Sequence, residues 1–428
     1  MTDKRPIALK KDYSQLQNWT AVLACLMMIA GMLHARALVS IGVILLFINA
    51  CLPGSFNIHW QLLKKSRFAQ LAILFFASYL ISGLWSTDTA AWGQKVVIKL
   101  PFLLLPFGFL SLPTEKIKYL RIVIYGISAI LMFNVFQSLS VFFQNSDYYI
   151  QSYGASKLIP TSIYNDYIRF SLTLVLTILL NLYLLIEKWT QLKSWDKVLI
   201  GIIILVLTAF NHLLATKTGL LSFYMMIAII GFGKLFKKKK IFALLFVLLL
   251  PLLAFIAYLK VPTIRAKVDY VQKEIALANT PNAQLDYNYS DQGRIISYQL
   301  ALNIIKAKPI FGVGVGDVTE EMKKEYEAHY PAIPEANRLI PHNQLLYVLV
   351  ALGSVLSLIF ILMISAPLCS KGPQAIYPIA VAAVLIFALM VEPMLEVQFG
   401  VLVYLFFTLF VWRLRLDKTT IITTQALS

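Results

Sequence analysis

The sequence predicts an all-α polytopic membrane protein, with about twelve transmembrane helices and one large, partly helical external loop between helices nine and ten. Three observations predict it. Of the 428 residues, 59% are hydrophobic and 14% charged, with a mean hydropathy of +0.73, well above a soluble domain. Apolar runs of roughly membrane-spanning length recur along the whole chain. Only one long interval, 260–343, is too polar to sit in a bilayer.

The formal charge of +17 raises the question of nucleic acid, and its distribution answers it. The 260–343 stretch holds ten basic and ten acidic residues, so it is near neutral. The excess lies in short loops between apolar runs, where it orients helices and offers no groove for a polyanion. Cys25, Cys51 and Cys369 lie in or beside apolar runs, which gives neither a disulfide framework nor a cysteine metal site.

In chain order, residues 1–18 form a polar, basic tail carrying Lys4, Arg5, Lys10 and Lys11. Trp19 opens the first apolar run, and Ala35-Arg36-Ala37 after it resembles a small-residue cleavage site. The uncleaved reading is favoured because a second run starts at once at Leu38, making a tight membrane hairpin. The runs lie at 19–33, 37–52, 68–84, 95–111, 117–143, 163–186, 198–214, 218–233, 241–259, 344–364, 375–391 and 399–412. Several fall short of the ~20 residues a straight span requires. They divide the chain into transmembrane helices one to nine over 19–259, the loop over 260–343, helices ten to twelve over 344–412, and a C-terminal tail over 413–428.

The lysines and arginines test this order, since cytoplasmic loops are enriched in them. With the N-terminus inside, the cytoplasmic segments hold Lys64, Lys65, Arg67, Lys116, Lys118, Lys188, Lys193, Lys197, Lys234, the lysines of 237–240, Lys371, Arg413 and Arg415. The opposite short loops hold only Arg36, Lys95, Lys157 and Lys217. Both termini are therefore expected inside and 260–343 outside, and the lysines of 237–240 read as a topology anchor rather than a lipid-headgroup receptor.

Within the external stretch, Ile264, Val268, Val271 and Ile275 recur at helical spacing and predict an amphipathic helix near the membrane surface. Residues 279–292 read as a polar loop, and 294–308 as a second helix stopped by Pro309. The glycine-rich turn Gly312-Val313-Gly314-Val315-Gly316 follows. Asp317 and Glu320 have capping-box spacing, which predicts a third helix running to about His329. Asn343 is a good N-cap for helix ten, placing His342 just outside it at the membrane border.

Several residues suit chemistry. A histidine titrating near neutrality and held at a rigid helix start can abstract a proton; the plainer reading of His342 is a surface histidine satisfying a helix end. Arg294, opening a helix after Gly293, could grip an anion with both arms of its guanidinium, or be an ordinary solvated arginine. Arg169 lies a few residues into an apolar run, where a charge is expensive; the alternative to function is pairing with Asp166 or another helix. Lys217, between helices seven and eight, could add a point charge. Gly312, Gly314 and Gly316 could expose backbone amides to an anion, although a packing turn is preferred, and no Gly-Lys-Ser/Thr follows to make a P-loop. Asp88, Glu392, Glu396 and His342 lack metal-ligand spacing, so no metal site is expected.

A helix nine, a long loop with Arg294, then Pro309-Ile310-Phe311-Gly312-Val313-Gly314-Val315-Gly316, and finally His342-Asn343-Gln344-Leu345-Leu346 with Gly353, together resemble the O-antigen ligase and Wzy-type polymerase family, most of all the ligases. Thr216-Lys217-Thr218-Gly219-Leu220 resembles the family's usual Ser-Arg-Ser/Thr-Gly segment, with lysine for arginine, and Tyr298 stands where a tryptophan is common. The resemblance implies a lipid-carrier-dependent, GT-C-like glycosyltransferase of the bacterial inner membrane, with its active site facing the periplasm and no cofactor, metal or nucleotide. Such enzymes pass a glycan from undecaprenyl diphosphate to a sugar hydroxyl of lipid A-core or of another glycan. On that basis Arg294 and Arg169, with Lys217, hold the diphosphate, and His342 deprotonates the acceptor hydroxyl for inverting attack. A Wzy-type polymerase and a protein O-oligosaccharyltransferase share the architecture. A transporter of lipid-linked glycans is the alternative outside the enzymes, but the chain shows no clear internal repeat and its largest polar feature lies at one face.

Overall fold

The fold is described from a computed structural model, over residues 6–53, 55–153, 158–161, 166–236, 239–278, 290–372 and 374–425. Among these residues there is no strand. The helices are α1 (Pro6–His34), α2 (Arg36–Cys51), α3 (Phe56–Lys65), α4 (Arg67–Ile81), α5 (Thr89–Gly108), α6 (Ile117–Gln144), α7 (Ser146–Ser152), α8 (Tyr167–Glu187), α9 (Ser194–Leu214), α10 (Lys217–Phe236), α11 (Lys240–Lys260), α12 (Pro262–Ala278), α13 (Ser290–Ala307), α14 (Val318–His329), α15 (Gln344–Ser365), α16 (Ile376–Val391) and α17 (Gln398–Gln425), joined in places by single 3-10 turns.

Each of the twelve apolar runs is represented by a helix. Among the described residues, ten helices are long and apolar enough to cross a membrane. The other two, α2 and α16, have 16 residues each, or ~24 Å of helix against a hydrocarbon core of ~30 Å. Helix α2 bends by 106° into α3, and the two would make an eleventh span if taken together. The expected hairpin at the start is tight: Ala35 alone separates α1 from α2, and Gly31 lets their backbones approach.

The bundle has a centre and a rim. Over its most apolar stretch α8 is 78% buried inside the protein and α11 only 11%, so α8 is the central post and α11 faces outward. A central helix cannot be all large residues. Ser171, Thr173, Thr177 and Asn181 let neighbours approach α8, and Asn181 Nδ2 donates to Ser128 Oγ on α6 at 2.9 Å.

Polar contacts sort the helix ends into two sets. At one end, Glu187 of α8 meets Lys234 of α10 together with Gln374 and Tyr377, and Asp196 of α9 meets Arg121 of α6 at 2.7 Å. Arg413 reaches Glu115 there at 3.2 Å. The other end carries His342, Arg169 and the turn between α16 and α17.

Helices α12, α13 and α14 lie between α11 and α15, and three details differ from the sequence reading. Residues 279–289 of the expected polar loop lie outside the described residues, whereas 290–292 are already helical. Ser290 and Asp291 are natural starters, so α13 begins before Gly293, and Arg294 stands in its second turn instead of opening it. Asp317 does immediately precede α14, but its carboxylate does not cap that helix. It accepts from Thr87 N at 2.7 Å, Thr87 Oγ1 at 2.7 Å and Asp88 N at 2.8 Å, since two aligned amides and a hydroxyl outbid one helical amide. Third, the run expected from 95 starts at Thr89, capped by Asp88, so Lys95 belongs to α5 and not to a short loop.

The glycine-rich turn is built into a break in α15. Gly353 has φ +66° and interrupts the helix, freeing carbonyls that a bilayer cannot satisfy. Val313 N donates to Val350 O at 2.8 Å, Gly314 N to Ala351 O at 2.9 Å, and Ser354 N to Pro309 O at 2.8 Å. Gly312 and Gly314 both have positive φ, and a Cβ on Gly312 would lie 2.6 Å from Gly353 N. Only glycine allows that approach.

Candidate functional site

The site grows from the start of α15. Asn343 caps that helix, accepting from Leu345 N at 2.8 Å and Leu346 N at 3.1 Å, while its amide donates to Met390 O at the end of α16 at 2.7 Å. This fixes the preceding residue, His342. The His342 amide reaches Ser297 Oγ at 3.3 Å, and Tyr298 Oη donates to the His342 carbonyl at 3.2 Å, so α13 holds it from the other side. Its imidazole is left over: Nδ1 is buried without a hydrogen-bond partner among the described residues.

Burial first, and then the charges of Arg294 and Arg169, bring the His342 imidazole down to about 4 from the ordinary 6.5. It is therefore neutral at physiological pH, with a lone pair to offer. The two arginines act on one ring although 125 residues separate them in sequence. Helix packing thus joins His342, Arg294 and Arg169 in one electrostatic unit.

Arg169, in the first turn of α8, is tied on both arms: Nη1 to Asp166 at 2.5 Å and Nη2 to Glu392 at 2.6 Å. Burial and the neighbouring Asp166 raise the Glu392 carboxyl above its usual range, against the pull of Arg169 and Arg294. Arg169 would have to exchange a carboxylate before it could hold another anion. Lys217 starts α10, whose Gly219 packs on Ser171, two residues beyond Arg169. Its ammonium lies 5.7 Å from the centroid of the Tyr270 ring on α12, and it is not among the charges acting on His342. Gly312, Gly314 and Gly316 are also apart from the histidine: the turn's amides point to carbonyls of α15, and Gly316 N to Ser86 Oγ at 3.3 Å.

Sequence reading missed the group beneath His342. Glu396, in the α16–α17 turn, is buried and accepts from Tyr79 Oη at 2.9 Å, Gln344 Nε2 at 2.9 Å and Lys99 Nζ at 3.1 Å, while its second oxygen faces Lys95 Nζ at 3.3 Å. Burial would raise this carboxyl, but Lys99 and Lys95 hold it down at about 2. Lys99 Nζ also donates to Leu395 O at 2.5 Å. The cluster locks α4, α5, α15 and α17 together two residues from His342. One signal was available: a lysine inside an apolar run is costly enough to demand a partner.

A cavity of about 620 Å³ opens beside this cluster between α1, α2, α5 and the start of α17. Its walls are largely apolar, with Val39, Val43, Val97 and Leu104 among them; Arg36, Asp166, Arg169 and Glu396 are its charged residues, and Ser40 and Gln398 are polar. That is the size and character of a small-ligand cleft. Among the described residues no three His, Cys, Asp or Glu side chains are grouped as a metal site would need.

No curated protein matches the chain. Residues 198–361 match the family model described as O-antigen ligase (Wzy_C), a segment that runs from α9 into α15 and includes Lys217, Arg294, the glycine-rich turn and His342. Over those residues the match agrees with the motif resemblance, so this segment of the chain is similar to the O-antigen ligase domain.

Proposed function

We propose that the chain is an O-antigen ligase-like glycosyltransferase that moves a glycan from undecaprenyl diphosphate to a sugar hydroxyl of lipid A-core, at the periplasmic face of the inner membrane and with inversion. The single observation that carries this reading is a neutral imidazole at one end of the bundle that lies in the field of two arginines and whose buried Nδ1 has no hydrogen-bond partner among the described residues. A lipid-linked diphosphate needs cations at the interface and an apolar groove below it. An acceptor hydroxyl needs a base.

In this reading Arg294 grips the diphosphate, while Lys217 and Arg169 add positive potential that stabilises the charge on the departing group. The head-proximal part of the lipid lies in the cavity beside Arg169, and the rest in the bilayer. A free imidazole held at about 4 is a weak base, and donor binding corrects this. A diphosphate placed between the arginines cancels their field at His342, so proton affinity rises when the substrate is in place. His342 then takes the acceptor's proton as the hydroxyl attacks the anomeric carbon opposite the leaving diphosphate. Asn343 holds the frame and touches neither reactant, and Glu396 braces one wall of the lipid's cavity.

The test is a gene deletion complemented with wild type or His342→Ala, followed by gel analysis of surface lipopolysaccharide. The expected result is glycan-capped lipid A-core with wild type and none with the variant, at equal membrane levels of protein. Single-repeat capping in the deletion strain would indicate a polymerase, and capping by His342→Ala would remove the base assignment.

A further inference from the structure

Arg169 is shared by two carboxylates that stand at opposite poles of their helices. Asp166 is the N-cap of α8 and accepts the Arg169 amide at 3.2 Å as well as the guanidinium, so its charge sits at the positive end of a helix dipole. Glu392 is the C-cap of α16, at the negative end, where a carboxylate is opposed. It is only 9% exposed. Its Oε1 accepts from Arg169 Nη2 at 2.6 Å, while Oε2 is buried with no hydrogen-bond partner among the described residues. Burial pushes this carboxyl up, so its charge leans on the arginine.

The charged groups around Glu392 come from every element packed near it. Helix α8 supplies Arg169 and Asp166, and α13 the charge of Arg294. The same two arginines act on His342 at the start of α15. Lys217 opens α10, which packs on α16, and its ammonium lies against the Tyr270 ring; Glu396, in the turn after Glu392, is paired with Lys99 and Lys95. Arg169 and Asp166 line the cavity assigned above to the lipid, whereas Glu392 does not and lies within the field of both arginines. That is the place the transferase reading gives to the donor's diphosphate. A carboxylate of the protein therefore already holds the arginine that the substrate needs.

We propose that Glu392 is an exchangeable counter-ion of the donor site: a donor phosphate replaces its carboxylate on Arg169, and the displaced carboxylate takes one proton from solvent and donates it as a hydrogen bond to that phosphate. The proposal rests on the transferase reading for the donor's position. Charge balance supplies the reason. Arg169 and Arg294 offset Asp166 and Glu392, and a diester diphosphate adds two negative charges. Of the two carboxylates, the buried one at a helix C-terminus is neutralised at the lower cost.

The experiment is isothermal titration of the full chain in lipid nanodiscs with undecaprenyl-diphosphoryl-N-acetylglucosamine, a diester whose phosphates keep their charge throughout. Measurements from about pH 7 to 9 in two buffers of different ionisation heat count the protons taken up. Wild type is expected to take up close to one proton, its affinity falling towards tenfold per pH unit. Glu392→Gln keeps the shape without the charge and should bind more tightly than wild type at the alkaline end, with uptake near zero. Glu392→Asp should retain the uptake, and so should His342→Ala, which assigns the proton to the carboxylate and not to the imidazole. Wild-type binding without proton uptake, uptake undiminished in Glu392→Gln, or uptake lost in His342→Ala would each overturn the proposal and leave the donor site standing. Absence of binding by wild type would instead overturn the donor site itself, and this proposal with it.

Discussion

Replacing Arg294 with Gln is expected to move the acid limb of the transfer rate to higher pH. The His342 imidazole titrates near 4 against an ordinary 6.5, a gap of about 2.5 on the pH scale or ~3.4 kcal/mol. Burial is the largest of three causes and the Arg294 charge the second. The second of three additive contributions cannot exceed half their sum, so Arg294 accounts for at most about 1.2 of the gap, or ~1.7 kcal/mol. The sign follows from the charge: with one cation gone the ring protonates more readily, its folded-state value rises, and the neutral base is lost at a higher pH. In kcat/KM the limb should therefore move from near 4 towards about 5, while a fall at neutral pH reports lost diphosphate binding alone. Arg294→Lys separates the two effects, keeping the charge and the limb but losing the two-armed contact. In wild type the limb of kcat should lie above that of kcat/KM, because bound donor offsets the arginines. The assay is transfer from a lipid-linked donor to a purified acceptor by the full chain in lipid nanodiscs, from about pH 4 to 8. A limb that stays put in Arg294→Gln, or moves down, would refute the electrostatic account.

Other substitutions probe the frame. Glu396→Gln leaves Lys99 buried without its counter-charge and should cost about 3–5 kcal/mol, read as lost thermal stability of the purified protein, and Lys99→Met in the same chain should recover most of it. Asp317→Asn is expected to cost about 1.5–3 kcal/mol by weakening three bonds to a charged acceptor. Burial works against the Asp317 carboxylate, but Thr87 and Asp88 hold it below its ordinary value. Its contribution is thus complete above the unfolded value of 3.8 and fades as the pH falls through the lower folded one, so wild type and Asp317→Asn melts should converge in acid. Gly312→Ala meets both a positive φ and the backbone of Gly353, and should reduce the folded yield in membranes by destabilising the turn about 1–3 kcal/mol; wild-type yield and melting would argue against the pairing with α15.

The sequence by itself located the apolar helices, ten of which are long and apolar enough to span a membrane among the described residues, and it did so because a bilayer imposes a local rule. A helix in hydrocarbon satisfies its own backbone, so contiguous apolar length is enough to find it, and all twelve runs became helices. Local rules also found α12, the Asn343 cap and the position of His342 just outside α15, since caps act within three residues. The weak results came from residues satisfied at a distance. Asp317 and Glu320 have capping-box spacing, yet the Asp317 carboxylate finds stronger donors 230 residues away. Arg169 was visible as a buried charge, but Glu392 as its second partner, 223 residues on, was not. Lys99 and Glu396 are 297 residues apart; the sequence reading did not single out Lys99 and weighed Glu396 only as a metal ligand. Only the tertiary structure decided which of these groups meet. A buried charge is stabilised by whatever lies within a few ångströms, and that neighbour is chosen by helix packing, on which sequence separation carries no information.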